Sequence, residues 1–388
     1  MDAAKKQLIA QALAGIVEKA RTGGPVVRVG LMAGGSELGV DEVLRGGLKA
    51  QQENPGVRVV AIGPKPAMWQ SGYDCLEWLE TSDCEADIAA AVTNAIKDGH
   101  VAGAVAMHYP FPIGVTTIGR VITPGRGNPM FIASCTGSAS IARGESMLRN
   151  AIYGIATAKA CGITSPKVAF LNIDGAGPVL RALTRMQEKG YAVTLGASLR
   201  DDGGSLLRGN DLVTGAVDVL VCDTLTGNVL VKLFSTFTTG GQYESSGWGY
   251  GPSVGENWKS VVSIISRASG APVIAGALAL TAKVATNGLP ELVASELQAA
   301  RNAGLDAEIA TLQPKTGPVA EVVKKPPIVP VDADIAGVDV MDMESAAQAL
   351  WKENIYAETA MGCTGPVVRI QAAFKEKAIG ILKAAGFI

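Results

Sequence analysis

A cysteine near the end of the chain carries the strongest chemical signal. Cys363 stands in Glu358-Thr-Ala-Met-Gly-Cys-Thr-Gly-Pro366, between Gly362 and Gly365. Glycines and a proline at this spacing predict a turn, which exposes a sulfur and aims backbone N–H groups at it. Such a thiol suits a nucleophile, because the thiolate attacks and nearby donors or cations lower the pKa from about 8.5. Arg369 is a candidate local cation. Cys161 and Cys222 instead sit in apolar runs, as packed cysteines do, and Cys75 and Cys84 fall in a surface-like acidic stretch. Cys135 precedes Thr136-Gly137-Ser138 at the end of a strand-like run and competes for the same role.

A second group lies in Asp218-Val-Leu-Val-Cys-Asp-Thr-Leu-Thr-Gly-Asn-Val-Leu-Val-Lys232. The pattern predicts a buried strand running into Asp223-Thr224, with Thr226-Gly227-Asn228 opening a helix. Two hydroxyls, an amide and helical N–H groups then meet at one strand end, where they can bind a phosphate or an acyl oxygen. The same residues also read as an ordinary cap, in which Asp223 and Thr226 only satisfy backbone groups. His108, one of two histidines, ends a strand beside Pro-Phe-Pro. It can move a proton or hold phosphate, or simply bond loop backbone. Arg120, Arg126, Arg143 and Lys232 lie in or just after strand-end segments, and as a set they are candidate phosphate clamps. Trp248 and Tyr250 either close over an acyl group or anchor the loop that holds them.

These groups need a scaffold, and the chain alternates the elements of one. Strand-like runs at 26–32, 57–62, 101–107, 129–134, 167–173, 192–196 and 217–223 are separated by helical patterns at 40–52, 84–97, 145–160, 178–189 and 226–237. Strands alternating with helices imply βαβ units, an α/β fold with a mostly parallel sheet covered on both faces. Ligands in such sheets bind beyond the carboxyl ends of the strands. An amphipathic helix at 3–21 precedes this core, so 1–24 reads as an N-terminal helix and 25–312 as the core. Residues 238–257 form a long glycine- and aromatic-containing loop. The proline-rich stretch 313–334 reads as a linker, and 335–388 as a small α+β module carrying Cys363.

Composition bounds the function. The 388 residues are 48% hydrophobic and 5% aromatic, with 47 glycines and a net charge of −2, a globular soluble profile that suits an α/β fold. No basic stripe with interleaved aromatics is present, which argues against nucleic acid as a partner. No apolar run is long enough for a membrane span, and the N-terminus lacks a signal-peptide pattern. The six cysteines form no CxxC pair, which speaks against a disulfide framework and a zinc site, and for the cytoplasm. The glycine loop at 33–39 does not make GxGxxG, and the following strand ends in Gly63-Pro64 with no ribose-binding acid. No nicotinamide or other cofactor is expected; the loop is a turn before a helix or an anion cradle.

Asp223-Thr-Leu-Thr-Gly-Asn-Val229 resembles the Asp-Gly-Phe-Thr-Gly-Asn-Val motif of the phosphate acyltransferases of bacterial phospholipid synthesis. Phe170-Leu-Asn-Ile-Asp-Gly175 is similar to that family's Leu-Leu-Asn-Ile-Gly turn. Ser134-Cys-Thr-Gly-Ser138 sits where the family has a Ser-Ala-Gly-Asn-Thr-Gly loop. The likeness covers residues 25–280 as scattered motifs. It implies a two-lobed, three-layer α/β/α fold shared with phosphotransacetylases and related to isocitrate dehydrogenases, with the site in a cleft. Thr224-Leu225 departs from the family's Gly-Phe, and the C-terminal stretch is additional.

The run from Glu358 to Pro366, with His108-Tyr-Pro-Phe-Pro-Ile-Gly-Val-Thr-Thr-Ile-Gly-Arg120, resembles a narrower family. It is that of the smaller (alpha) subunits of component C of glycine, sarcosine and betaine reductases. The resemblance implies an acetyl group carried as a thioester on Cys363 and released by inorganic phosphate as acetyl phosphate. It also implies a hetero-oligomer with a larger (beta) subunit resembling a ketoacyl synthase, fed by a carboxymethylated selenoprotein A. The expected phosphate set is Asp223, Thr226, Gly227, Asn228, His108, Arg120, Thr136 and Gly137. Chemistry fits this: phosphorolysis of an activated thioester needs a bound phosphate, a positive clamp and an oxyanion hole, but no strong base. Two alternatives stand: a separate phosphate acyltransferase acting on acyl carrier protein, and a non-catalytic scaffold subunit.

Overall fold

Apolar β-branched runs and amphipathic stretches alternate along the chain and fold into strands and helices. The computed structural model describes residue 17 and residues 26–65, 73–200, 203–313, 323–339, 342–362 and 365–388. In chain order, β1 (Val27–Met32), α1 (Val40–Glu53), β2 (Val57–Gly63), β3 (Glu77–Glu80), α2 (Glu85–Lys97) and β4 (Gly103–Ala106) come first. Then follow β5 (Val115–Ile122), β6 (Pro129–Gly137), α3 (Arg143–Ala160), β7 (Lys167–Leu171), α4 (Ala176–Glu188), β8 (Thr194–Leu195) and β9 (Leu206–Leu207). After these come α5 (Gly209–Thr214), β10 (Val219–Val221), α6 (Thr224–Thr236), β11 (Gly251–Gly255) and β12 (Val262–Ile264). The helices α7 (Ala271–Thr286), α8 (Leu289–Asn302) and α9 (Leu305–Leu312) close the large unit.

Its twelve strands form one sheet in the order β3-β2-β1-β4-β12-β11-β5-β6-β10-β7-β8, with β9 also on β7. Pairing is parallel in both outer parts and antiparallel across β12, β11, β5 and β6. Three reversals separate β4 from β6, so the two parallel parts point opposite ways. Strands β1, β2, β4 and β12 end at one rim, and β6, β10 and β7 end at the other. Valine, isoleucine and alanine fill the strands, and most of these side chains are fully buried, as expected of a sheet covered on both faces. Helix α1 packs on α7, where a Cβ at Gly46 would sit 2.5 Å from the Ile274 side chain. No single helix among the described residues is long and apolar enough to cross a membrane; α7 and α8 pass such a test together but are bent by 61°.

The α/β alternation agrees with the sequence pattern, and β5 and β11 are among the strands that go beyond it. Val115–Ile122 is a strand, and the stretch 238–257 contains β11. Gly251-Pro-Ser-Val-Gly255 has little intrinsic strand preference; pairing with β5 and β12 supplies its ladder. The buried carboxylate of Glu244 pins this stretch, accepting from Tyr250 Oη at 3.0 Å and Ser269 Oγ at 2.8 Å, with Lys232 Nζ at 2.7 Å.

The C-terminal residues make a second, antiparallel sheet of β13 (Ala333–Ala336), β15 (Gly365–Ile370) and β14 (Ala357–Gly362), in the order β13-β15-β14. Helices α10 (Met343–Lys352) and α11 (Lys375–Ala384) cover it. Its core is its own, built on Ile335, Ala346, Leu350, Val368, Ile370 and Leu382. Cys363 lies outside the described residues, as do most of the helix expected at 3–21 and positions 314–322 of the expected linker.

Candidate active site

The ends of β6 and β10 and the start of α6 form the candidate site. Three valine and leucine residues bury β10, and the first polar residue after it, Asp223, caps α6. The Asp223 carboxylate accepts from the Thr226 N–H at 3.0 Å and from the Thr226 hydroxyl at 2.7 Å, and the Arg143 guanidinium stands 3.4 Å away. Burial pushes this carboxyl up, but the two Thr226 hydrogen bonds and the Arg143 cation outweigh it and hold the group below the ordinary carboxylate range. Asp223 is therefore ionised at neutral pH. An ionised Asp223 repels a phosphate, so its contribution is to hold Thr226 and Arg143 in place.

Neighbouring contacts tie β6 to the same helix. Ser134 Oγ and Thr224 Oγ1 are 2.8 Å apart, and Asn228 Nδ2 donates to the Cys135 carbonyl at 3.1 Å. Gly227 makes this approach possible, because a Cβ there would overlap the Ser134 carbonyl oxygen. Thr136 is held from β5: Thr116 Oγ1 donates to its carbonyl at 2.9 Å, and Thr117 Oγ1 lies 3.0 Å from its hydroxyl. Gly137, exposed with φ of 72°, ends the strand. The structure thus brings together Thr136, Gly137, Asp223, Thr226, Gly227 and Asn228, and adds Arg143. An α-helix leaves its first amides without intrahelical partners; Asp223 takes that of Thr226, so the amides of Thr224 and Leu225, with Arg143, are what this edge offers to an anion.

Other candidates are placed elsewhere. His108 is exposed beyond the end of β4, which runs opposite to β10 and is separated from it by four strands. The Arg120 guanidinium is stacked 4.3 Å from the Trp248 ring centroid and 5.2 Å from that of Phe131, and its buried Nε has no hydrogen-bond partner. Burial lowers its pKa. Arg126 lies in the exposed turn between β5 and β6, at the far end of β6 from Gly137. Lys232 is engaged with Glu244, and Tyr250 is buried against the same carboxylate, so Tyr250 anchors its loop. Cys135 is fully buried and donates to the Ile132 carbonyl. Burial pushes its thiol up to about 12 against a hydrogen bond from the Gly119 backbone, so it is no nucleophile at neutral pH. Burial, aided by the nearby Cys135 and Asp223, likewise pushes Cys222 well above its ordinary value.

The rim also holds a cavity of about 390 Å³ lined by Gly114, Val115, Ala139, Glu145, Arg149 and Trp258, among others. Its Arg149 is already paired with Glu145 at 2.8 Å and Glu256 at 3.1 Å. Among the described residues no cluster of His, Cys, Asp or Glu is suited to a metal ion. Sequence reasoning missed the support given by Ser134, Thr116 and Thr117. All three lie inside the two stretches that carry family resemblances, 134–138 and 108–120, but the strands those stretches pair with are not written in them.

Comparison with known proteins decides the family. A profile of the fatty acid synthesis protein family matches residues 27–369. The chain is 45% identical, over 99% of both chains, to a glycine/sarcosine/betaine reductase complex component C subunit alpha from Peptoclostridium acidaminophilum. The chain belongs to this family of component C alpha subunits, within the fatty acid synthesis proteins. More distant members of the wider family include a phosphate acyltransferase from Thermotoga petrophila, 26% identical over 53% of this chain and 67% of that one. Another, from Clostridium acetobutylicum, is 30% identical over 42% of this chain and 46% of the relative. A solved 4-hydroxythreonine-4-phosphate dehydrogenase from Klebsiella pneumoniae overlaps 68% of the chain at 11% identity, with a TM-score of 0.39, a likeness too distant to carry argument.

Proposed function

We propose that this chain is the acetyl-transferring subunit of a glycine, sarcosine or betaine reductase complex. The observation that carries the reading is the match to a component C alpha subunit along 99% of both chains. In this reading Cys363 carries an acetyl group as a thioester, delivered through a larger component C subunit from a carboxymethylated selenoprotein. A phosphate oxygen attacks the carbonyl carbon; the C–O bond forms, the C–S bond breaks, and the electron pair leaves with the Cys363 thiolate. Acetyl phosphate is the product. Inorganic phosphate is a substrate here, and the reaction draws on no other cofactor.

The strand-end cluster supports this chemistry. Arg143 supplies positive charge, and Thr136 and the Thr224 and Leu225 amides at the helix start supply donors for a phosphate or for the oxyanion formed at the carbonyl. Asp223 caps the helix through Thr226, pairs with Arg143, and leaves the phosphate to that cation and those donors. Phosphate is largely ionised at neutral pH, so the step has no strict need of a base such as His108. The test is mass spectrometry of the intact chain after incubation with acetyl phosphate. One acetyl group should map to the Cys363 peptide, and Cys363→Ala should abolish both the adduct and acetyl phosphate formation. An adduct that survives in this variant would sink the reading.

The phosphate acyltransferase relatives favour a second reading, a stand-alone enzyme that makes acyl phosphate from acyl carrier protein. Turnover of acyl carrier protein that resists thiol alkylation would support it.

A further inference from the structure

The small sheet is held against the large one at a defined place. Asp339 Oδ2 accepts a hydrogen bond from the Gly175 N–H at 3.2 Å. Gly175, in a left-handed conformation, immediately precedes α4, in the turn that follows β7. A Cβ on Gly177 would lie 3.5 Å from Asp339 Oδ2, so the aspartate stands over the first turn of α4, where the helix dipole favours a negative charge. Arg181, one turn on, feels the charges of Asp339 and Asp342, although burial outweighs them and lowers its pKa.

Strand register decides which end of the small sheet is held. Ala336, the last residue of β13, pairs with Val367 near the start of β15. Gly365 starts β15 and pairs with Gly362, the last residue of β14. The chain therefore leaves β13 toward Asp339 at the same end of the sheet as the join between β14 and β15. That join contains position 363. On the other side of the contact, β7 is the direct neighbour of β10, whose end carries Asp223. Gly362 and Gly365, which flank that join, therefore stand at the end of the small sheet from which the chain runs to Asp339, and Asp223 follows the strand next to the one that leads into Gly175.

We propose that Asp339 is a positioning residue that docks the cysteine-bearing end of the small sheet at the rim of β7 and β10, where the phosphate site lies. The inference rests on Cys363 as the acyl carrier. It assigns a function to an aspartate outside every motif of the sequence, and it explains why the glycine turn at 172–177 is built with an open helix start.

The test uses the full-length chain, acetylated at Cys363 with acetyl phosphate, freed of reagent, and mixed with inorganic phosphate in single-turnover experiments. Asp339→Ala should lower the maximal rate of phosphorolysis by about tenfold or more, as expected for losing a charged hydrogen bond that orients reactants. The half-saturating phosphate concentration and the rate of Cys363 alkylation should stay within about twofold, because the docking bond touches neither phosphate nor thiol. Asp339→Asn keeps an acceptor oxygen and should stay within about threefold of wild type. A wild-type rate in Asp339→Ala, alongside an inactive Cys363→Ala, overturns this inference alone. Parallel losses of melting temperature and alkylation rate in Asp339→Ala overturn it as well, since they indicate a merely structural role. Acetyl phosphate formation by Cys363→Ala overturns the carrier reading and this inference with it.

Discussion

Asp223 shows how one residue type can be read two ways until its neighbours are known. From sequence it is either an anion-site residue or a helix cap. Its carboxylate caps α6 through Thr226, which is the cap reading, and the same carboxylate stands 3.4 Å from Arg143, the cation that the proposed function assigns to phosphate. The folded pKa is depressed, so the stability it contributes is fully present above the ordinary aspartate value of about 3.9 and is lost as pH falls through the lower folded value. Asp223→Asn should therefore show a smaller loss of stability than wild type between pH 5 and pH 2, roughly the span of that titration, read from urea midpoints. Equal pH slopes in the two proteins would disprove the assignment. Cys135 makes the contrasting case. Its neighbours in sequence suggested a strand-end thiol, but its side chain points into the core beside Gly119, and that direction depends on strand register alone.

At the scale of elements, the site depends on how closely α6 approaches β6. Gly227 is the point of contact, facing the Ser134 carbonyl. Gly227→Ala should force the helix away from the strand and cost about 1–3 kcal/mol, the usual range for overpacking, seen as a lower urea midpoint with an unchanged slope. Acetyl phosphate formation should fall with it, because Thr226 and Asn228 move with the helix. A variant as stable as wild type would show that the helix can shift freely. Elements such as β1, β2, β7, α1 and α4 were legible because apolar periodicity alone marks them. β5 and β11 were not: Val115–Ile122 is rich in β-branched residues but is interrupted by Gly119 and Arg120, and Gly251–Gly255 has only one β-branched residue. The strand character of β11 comes from its ladders, that with β5 a contact across more than a hundred residues.

At the scale of the whole molecule, a buried carboxylate ties α9 to α4 within the helical layer. Glu308 on α9, nearly fully buried, accepts from Arg185 at 2.6 and 2.9 Å and from Lys189 at 3.0 Å. Burial raises its pKa, but these two cations outweigh that and hold it below the ordinary range. Both cations are close to half exposed, so the net value of the group is modest. Glu308→Gln should cost about 1–2 kcal/mol at pH 7 and much less at pH 3, because a depressed carboxylate loses its contribution on protonation. A cost that did not change with pH would exclude the ion pairs as its source. The sequence by itself determined the α/β alternation and the strand-to-helix turn at Asp223. These are local properties: periodicity, capping chemistry and turn residues act over a few positions. Only the tertiary structure decided that the two parallel parts of the sheet point opposite ways, which leaves His108 far from Asp223. It also placed Asp339 on the turn after β7 and so set the small sheet at the rim that holds the phosphate-site candidates. Both outcomes depend on strand order and register, which arise from long-range pairing that no short stretch of residues encodes.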